Sequence, residues 1–160
     1  MGLESANLKW DTRRENMQDV CSACHTEAYV ENFYVQYDSM VELYNEKFGK
    51  PGKALYGAAK PLLKKAKFSN KLDWIWFELW HHEGRRARMA TSMMAPDYTH
   101  WHGTYDLAKH FYTKMVPELE HLIENGMKAG GDQKKAAQSL QKELDNVLNS
   151  KNHKWYLGKK

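Results

Sequence analysis

Apolar residues keep a helical spacing along most of this 160-residue chain. From Tyr29 onward they stand at Phe33, Tyr37, Met40, Tyr44 and Phe48, three or four apart, as on one face of a helix. Gly49-Lys50-Pro51-Gly52 follows, and its glycines and proline predict that this first long helix ends near Phe48. A shorter helical piece over residues 54–67 carries Pro61, whose missing N–H predicts a kink or a restart. Ser69 and Asn70 are good N-cap residues, and Asp73 suits the positive end of a helix, so the next helix is expected over about residues 71–94.

The first half of that helix, Leu72 to Trp80, is apolar on more than one side and holds three tryptophans. Such a helix is either buried in an aromatic core or faces a large flat apolar object such as a porphyrin. After Ala95-Pro96-Asp97, the positions Tyr105, Ala108, Tyr112, Met115, Leu119 and Leu122 keep a seven-residue repeat, read as a bundle seam that Pro117 bends in its second half. Gly130-Gly131, with Asp132 as cap, opens a last amphipathic helix with Leu140, Leu144, Val147 and Leu148 on one side. Residues 151–160 read as a basic, irregular tail in which Trp155 and Tyr156 are placed to anchor on a partner. No segment reads as a strand, so the expected fold class is all-α, a long-helix bundle. Its expected divisions are residues 1–26, a helical domain over 27–150 and the tail over 151–160.

Candidate chemistry centres on Cys21-Ser22-Ala23-Cys24-His25, the spacing of c-type haem attachment. Two thiols three residues apart reach the two vinyl groups of one porphyrin, and the histidine that follows turns a ring nitrogen onto the iron. A structural zinc site needs further ligands, and the chain has no other cysteine to supply them. A thioredoxin-like pair belongs between a strand and a helix, whereas the residues after His25 read as helix. One covalent haem c near the N-terminus is therefore expected.

Composition changes this picture little. The formal net charge is +4, which two haem propionates would reduce, and the basic runs Lys64-Lys65-Ala66-Lys67 and Arg85-Arg86-Ala87-Arg88 are too short to argue for nucleic acid. A mean hydropathy of −0.80 is polar for an independent globule, so haem or a partner is expected to complete the apolar surface. No apolar run approaches a membrane span. Met1 to Trp10 has neither a basic nor an apolar signal region, yet c-type attachment belongs outside the cytoplasm. The expectation is a periplasmic or equivalent compartment, with a signal removed or a longer exported protein upstream.

Histidines exceed the needs of one haem. Five of the eight, His81, His82, His100, His102 and His110, lie within thirty residues, while one haem takes His25 and at most one more imidazole. Neighbours on a helix point about 100° apart, so His81 and His82 cannot serve one iron but can serve two. The cluster reads as ligands for haems attached elsewhere, although each histidine alone is an ordinary structural residue. Glu83 with Arg85, Arg86 and Arg88 reads as a salt-bridge network, with propionate binding by the arginines as the functional alternative.

The run from Trp80 to Arg88, the run from Met93 to Gly103 and the upstream attachment motif together resemble the C-terminal part of octahaem hydroxylamine oxidoreductases, including hydroxylamine- and hydrazine-oxidising members from anaerobic ammonium oxidisers. The resemblance extends over roughly residues 7–126. It implies that Cys21, Cys24 and His25 carry the last of eight haems, and that His81, His82, His100 and His102 are distal ligands or haem contacts. It also implies a homotrimer in which a tyrosine bonds covalently to a neighbour's catalytic haem. Tyr98 and Tyr105 are the candidates, with Tyr112 behind them, and Tyr98 is preferred because Pro96 places it near a helix start. The localisation implied for an anaerobic ammonium oxidiser is the anammoxosome.

The other attachment motifs of that family are missing, as are its catalytic Asp and His, so the chain alone is not expected to oxidise hydroxylamine or hydrazine. The expected function is electron relay within a multihaem oxidoreductase, with the rest of that enzyme, trimer neighbours and a redox cytochrome as partners. The alternative is a stand-alone monohaem electron carrier, in which one of His81, His82, His100, His102 or Met94 completes the iron. A helical assembly module with a structural haem is a third reading.

Overall fold

A computed structural model describes residues 7–159, so the first six residues and Lys160, at the ends of the expected segments 1–26 and 151–160, lie outside the described residues. All regular structure among the described residues is helical, which makes the protein all-α. Helix α1 (Trp10–Ser22) turns into α2 (Glu27–Tyr44), and α3 (Lys50–Ala59), α4 (Lys71–Phe77), α5 (Gly84–Ser92), α6 (Pro96–Tyr98), α7 (Asp106–His110), α8 (Val116–Ala129) and α9 (Gly131–Leu148) follow. Four π-helical segments, Asn45–Gly49, Glu78–Glu83, Thr99–Tyr105 and Phe111–Met115, join α2 to α3, α4 to α5, α6 to α7 and α7 to α8 without a break. No described helix is long and apolar enough to cross a membrane.

The chain divides into two compact units, residues 1–39 and 40–160, with the boundary inside α2. In the first, α1 buries no residue, and Val30 is the buried apolar side chain of the part of α2 that lies in this unit. Arg14 ties this hairpin by two bonds of 2.7 Å to the Asp38 carboxylate, and its guanidinium lies over the Tyr34 ring. That bidentate pair holds the Asp38 carboxyl below its usual range.

The second unit has a true core. Leu55, Leu72, Leu107, Phe111, Met115, Leu119 and Leu140 are fully buried, each worth about 1.5–3 kcal/mol relative to exposure. Asn70 and Asp73 form the expected start of α4, with the Asn70 backbone and side-chain N–H groups donating to Asp73 Oδ2 at 3.2 and 2.9 Å. Tyr56 donates to the other oxygen at 2.8 Å. Burial pushes the Asp73 carboxyl up, but the Asn70 and Tyr56 bonds outweigh it and hold it below its usual value.

Several local expectations are corrected. The helix does not stop at Gly49-Lys50-Pro51-Gly52, because Pro51 falls in the first turn of α3, directly after a π-helical turn, where its missing N–H costs little. Gly52 is there for close approach: a Cβ at this position would stand 2.5 Å from the Trp76 ring. Pro117 is passed in the same way, in the first turn of α8 after the π segment Phe111–Met115. The piece expected over residues 54–67 ends as α-helix at Ala59, where a 3₁₀ turn carries Pro61. Asp132 does not cap α9; the chain turns instead on Gly130 and Gly131, whose φ values of 77° and 52° favour glycine, and Asp132 pairs with Lys135.

The C-terminal segment forms a 3₁₀ turn over Lys154–Leu157. Its aromatic residues anchor on this chain's own core, with Tyr156 stacked on Tyr112 at 5.0 Å and Trp155 edge-on to it at 4.9 Å. In the expected seam Tyr112, Met115 and Leu119 are buried, whereas Tyr105 points outward, because the π segments shift the helical phase on either side of α7.

Candidate functional site

In the first unit, the thiols and imidazole occupy the turn that ends α1. The backbone N–H groups of Cys24 and His25 both donate to the Cys21 carbonyl, at 3.2 and 3.0 Å, which holds the motif in one turn. Both thiols are free; Cys21 is half-buried, Cys24 is exposed, and His25 is exposed with its ring stacked on Tyr29 at 4.6 Å. Tyr34 lies beside Cys21, and burial, reinforced by that thiol, pushes its phenol up.

In the second unit, the remaining predicted residues sit on two adjoining helical stretches. His81 and His82 lie on the π segment Glu78–Glu83, and His100 and His102 on the π segment Thr99–Tyr105. The segment Thr99–Tyr105 packs on α5, and Gly103 is the reason it can: a Cβ there would stand 2.8 Å from Ala87 Cα. The His81 ring stacks on Phe77 at 4.7 Å, and its Nε2 lies 3.2 Å from Arg85 Nη2. His82 Nε2 lies 2.9 Å from Arg86 Nη2. A guanidinium can only donate, so both imidazoles accept through Nε2 in this arrangement. His100 packs edge-on to Trp101 at 4.6 Å, and His102 lies against Tyr98 at 5.0 Å.

The tyrosines separate by exposure. Tyr98 and Tyr105 are 46% and 50% exposed, whereas Tyr112 is 8% exposed and shares a hydrogen bond with buried His153. The Tyr112 hydroxyl is therefore engaged inside this chain. Trp74, Trp80, Trp101, Met89 and Met93 are exposed large apolar side chains of this unit as well.

The arginines do not pair with Glu83, which corrects the network expected from their sequence proximity. Arg85 and Arg86 are turned to the histidines, and Arg88 donates to the Gly84 carbonyl at 3.0 Å and lies over the Tyr44 ring at 4.6 Å. Glu83 is 2% exposed and bonds His110, its Oε1 lying 2.7 Å from Nδ1 of a residue 27 positions away. Sequence reasoning did not find this pair. The signal present was an acidic residue among histidines and arginines directly after the aromatic run to Trp80, together with His110 two residues from the seam positions Ala108 and Tyr112. His153 was missed as well, in a segment read as a basic, irregular tail, and it is fully buried.

Compared with known proteins, this chain matches no family model, no curated protein and no solved structure.

Proposed function

We propose that this chain is the C-terminal, haem-bearing helical part of a hydroxylamine-oxidoreductase-like multihaem enzyme. In this reading it relays electrons released from hydroxylamine or hydrazine and supplies a tyrosine to a neighbouring subunit's catalytic haem, in an extracytoplasmic compartment. The observation that carries the proposal is the set of outward imidazoles His82, His100 and His102, with half-buried His81, beside exposed Trp80, Trp101, Tyr98 and Tyr105. One haem uses at most two imidazoles, so this number at a surface suits several haems held by a larger assembly.

The donor chemistry of the N-terminal turn fits a covalent haem c, because Cys21 and Cys24 offer free thiols and His25 an exposed imidazole within that turn. Such a group supplies one-electron transfer when bound. Cys21 and Cys24 would fix it to the chain, and His25 would supply a nitrogen ligand to its iron. Arg85 and Arg86 donate to Nε2 of His81 and His82, ring nitrogens of the kind that ligates metals. Were those nitrogens to ligate iron, the Arg85 and Arg86 guanidinium groups would be free to bind carboxylates such as propionates. Trp80 and Trp101 present broad apolar surfaces that exclude water from whatever covers them. The partners in this reading are the rest of the multihaem enzyme, the trimer neighbours and a redox cytochrome.

Intact mass of the full chain, produced with haem-attachment machinery and measured under denaturing conditions, is the test. The expected mass is the chain plus one haem, reduced to the bare chain in a C21A/C24A variant. Isolation of the native assembly should then give a larger, haem-stained species that survives denaturation. One haem with no larger species leaves the monohaem carrier, and an unmodified mass overturns both readings.

A further inference from the structure

Glu78, Glu83 and His110 come together outside the haem-type motifs. One ligand atom from each lies within 4.8 Å of the other two. Glu83 is 2% exposed, its Oε1 bonds His110, and its Oε2 is buried with no hydrogen-bond partner. A buried carboxylate oxygen without a partner is costly, and a cation is the usual remedy.

The backbone explains why these residues meet. In an α-helix, residues five apart point about 140° away from each other. The segment Glu78–Glu83 is π-helical, and the Gly84 N–H that closes it donates to the Leu79 carbonyl five residues back. In that wider register residues five apart return much closer to one side of the helix than in an α-helix, so Glu78 and Glu83 share a face. His110, at the end of α7, meets this face from the opposite helix, and Lys114, one turn later, reaches Glu78 Oε2 at 3.3 Å.

We propose that Glu78, Glu83 and His110 bind one divalent first-row transition-metal ion, of the manganese or ferrous type. Two carboxylates balance the charge of a divalent ion, and the oxygen-rich set with one imidazole and no sulfur selects against soft ions. Three protein ligands leave coordination positions for water. Lys114 is the internal competitor: its ammonium neutralises Glu78 in the metal-free protein and must leave when the ion enters. Lys114 and Glu78 are both half-exposed, so this exchange does not disturb the core. The site is independent of the haem reading.

Titration of the full-length protein with Mn²⁺, followed by loss of the free-ion electron paramagnetic resonance signal, tests the proposal, since this ion discriminates against the thiols and isolated surface imidazoles. The expected result is one bound ion per chain. Glu78→Gln weakens binding by about tenfold or more, while Lys114→Met tightens it by about twofold or more. Both sites are half-exposed, so far-ultraviolet circular dichroism of both variants should match the wild type. The C21A/C24A variant should bind Mn²⁺ unchanged, which separates this site from haem attachment. No binding at millimolar Mn²⁺, or equal binding by wild type and E78Q, overturns the proposal.

Discussion

Tyr112 and His153, 41 residues apart, share a 2.8 Å hydrogen bond inside the second unit. The bond fixes the C-terminal turn to the core, and Phe111 stacks on the same imidazole at 5.2 Å. Burial raises the Tyr112 phenol to about 12. It also pushes His153 below its ordinary 6.5, against a smaller upward pull from the Lys47 backbone.

These shifts predict a stability plateau. Because the folded imidazole holds its proton less well than the unfolded one, stability falls as pH drops below about 6.5 towards the lower folded value. At the alkaline end the unfolded phenol ionises near 10 and the folded one near 12, so stability also falls as pH rises through that window. Urea midpoints measured across pH should be flat between these limits. A midpoint that rises on acidification below 6.5 would contradict a neutral, buried His153.

Tyr112→Phe removes the hydroxyl and leaves Nδ1 of buried His153 without its hydrogen bond. A loss of about 1–3 kcal/mol is expected in urea unfolding. Increased proteolysis after Lys151 or Lys154 should accompany it, because the turn loses its tether.

Glycine positions give a contrast in sign. Gly103→Ala places a methyl 2.8 Å from Ala87 Cα, which is backbone and cannot swing aside, so about 1–3 kcal/mol should be lost. Gly84→Ala, 2.4 Å from the Tyr44 ring, should cost a similar amount by displacing that ring. Gly57→Ala meets nothing within 4 Å and lies within α3, so it should gain about 0.5–1 kcal/mol. Thermal melts of the three variants check the ordering.

The proposed cross-link predicts a difference among tyrosines. In the native assembly, Phe at one of the exposed positions Tyr98 and Tyr105 should abolish the denaturation-resistant haem species. Tyr112→Phe should retain it, because that ring is buried. Loss of the species in all three variants would point to a folding effect instead.

Much of the helical content was legible because it rests on local physics. The spacing of Phe33 to Phe48, the Asn70 and Asp73 start of α4 and the apolar face of α9 each depend on residues within a turn or two. Cys21, Cys24 and His25 were legible for the same reason, since a motif confined to one turn carries its geometry in its spacing. Tyr105 was misplaced on the seam because a fixed repeat cannot anticipate a change of helical register.

By itself, the sequence determined an all-α protein, the start of α4 and the gathering of two thiols and an imidazole, Cys21, Cys24 and His25, in one turn. Only the tertiary structure decided that Gly52 is a contact for Trp76 rather than a stop, that His153 is core, and that Glu83 pairs with His110 and not with Arg85, Arg86 or Arg88. Whether a glycine ends a helix depends on what packs over it. A carboxylate's partner, likewise, depends on which face its helical register turns inward, and the π segment Glu78–Glu83 turns Glu83 towards α7.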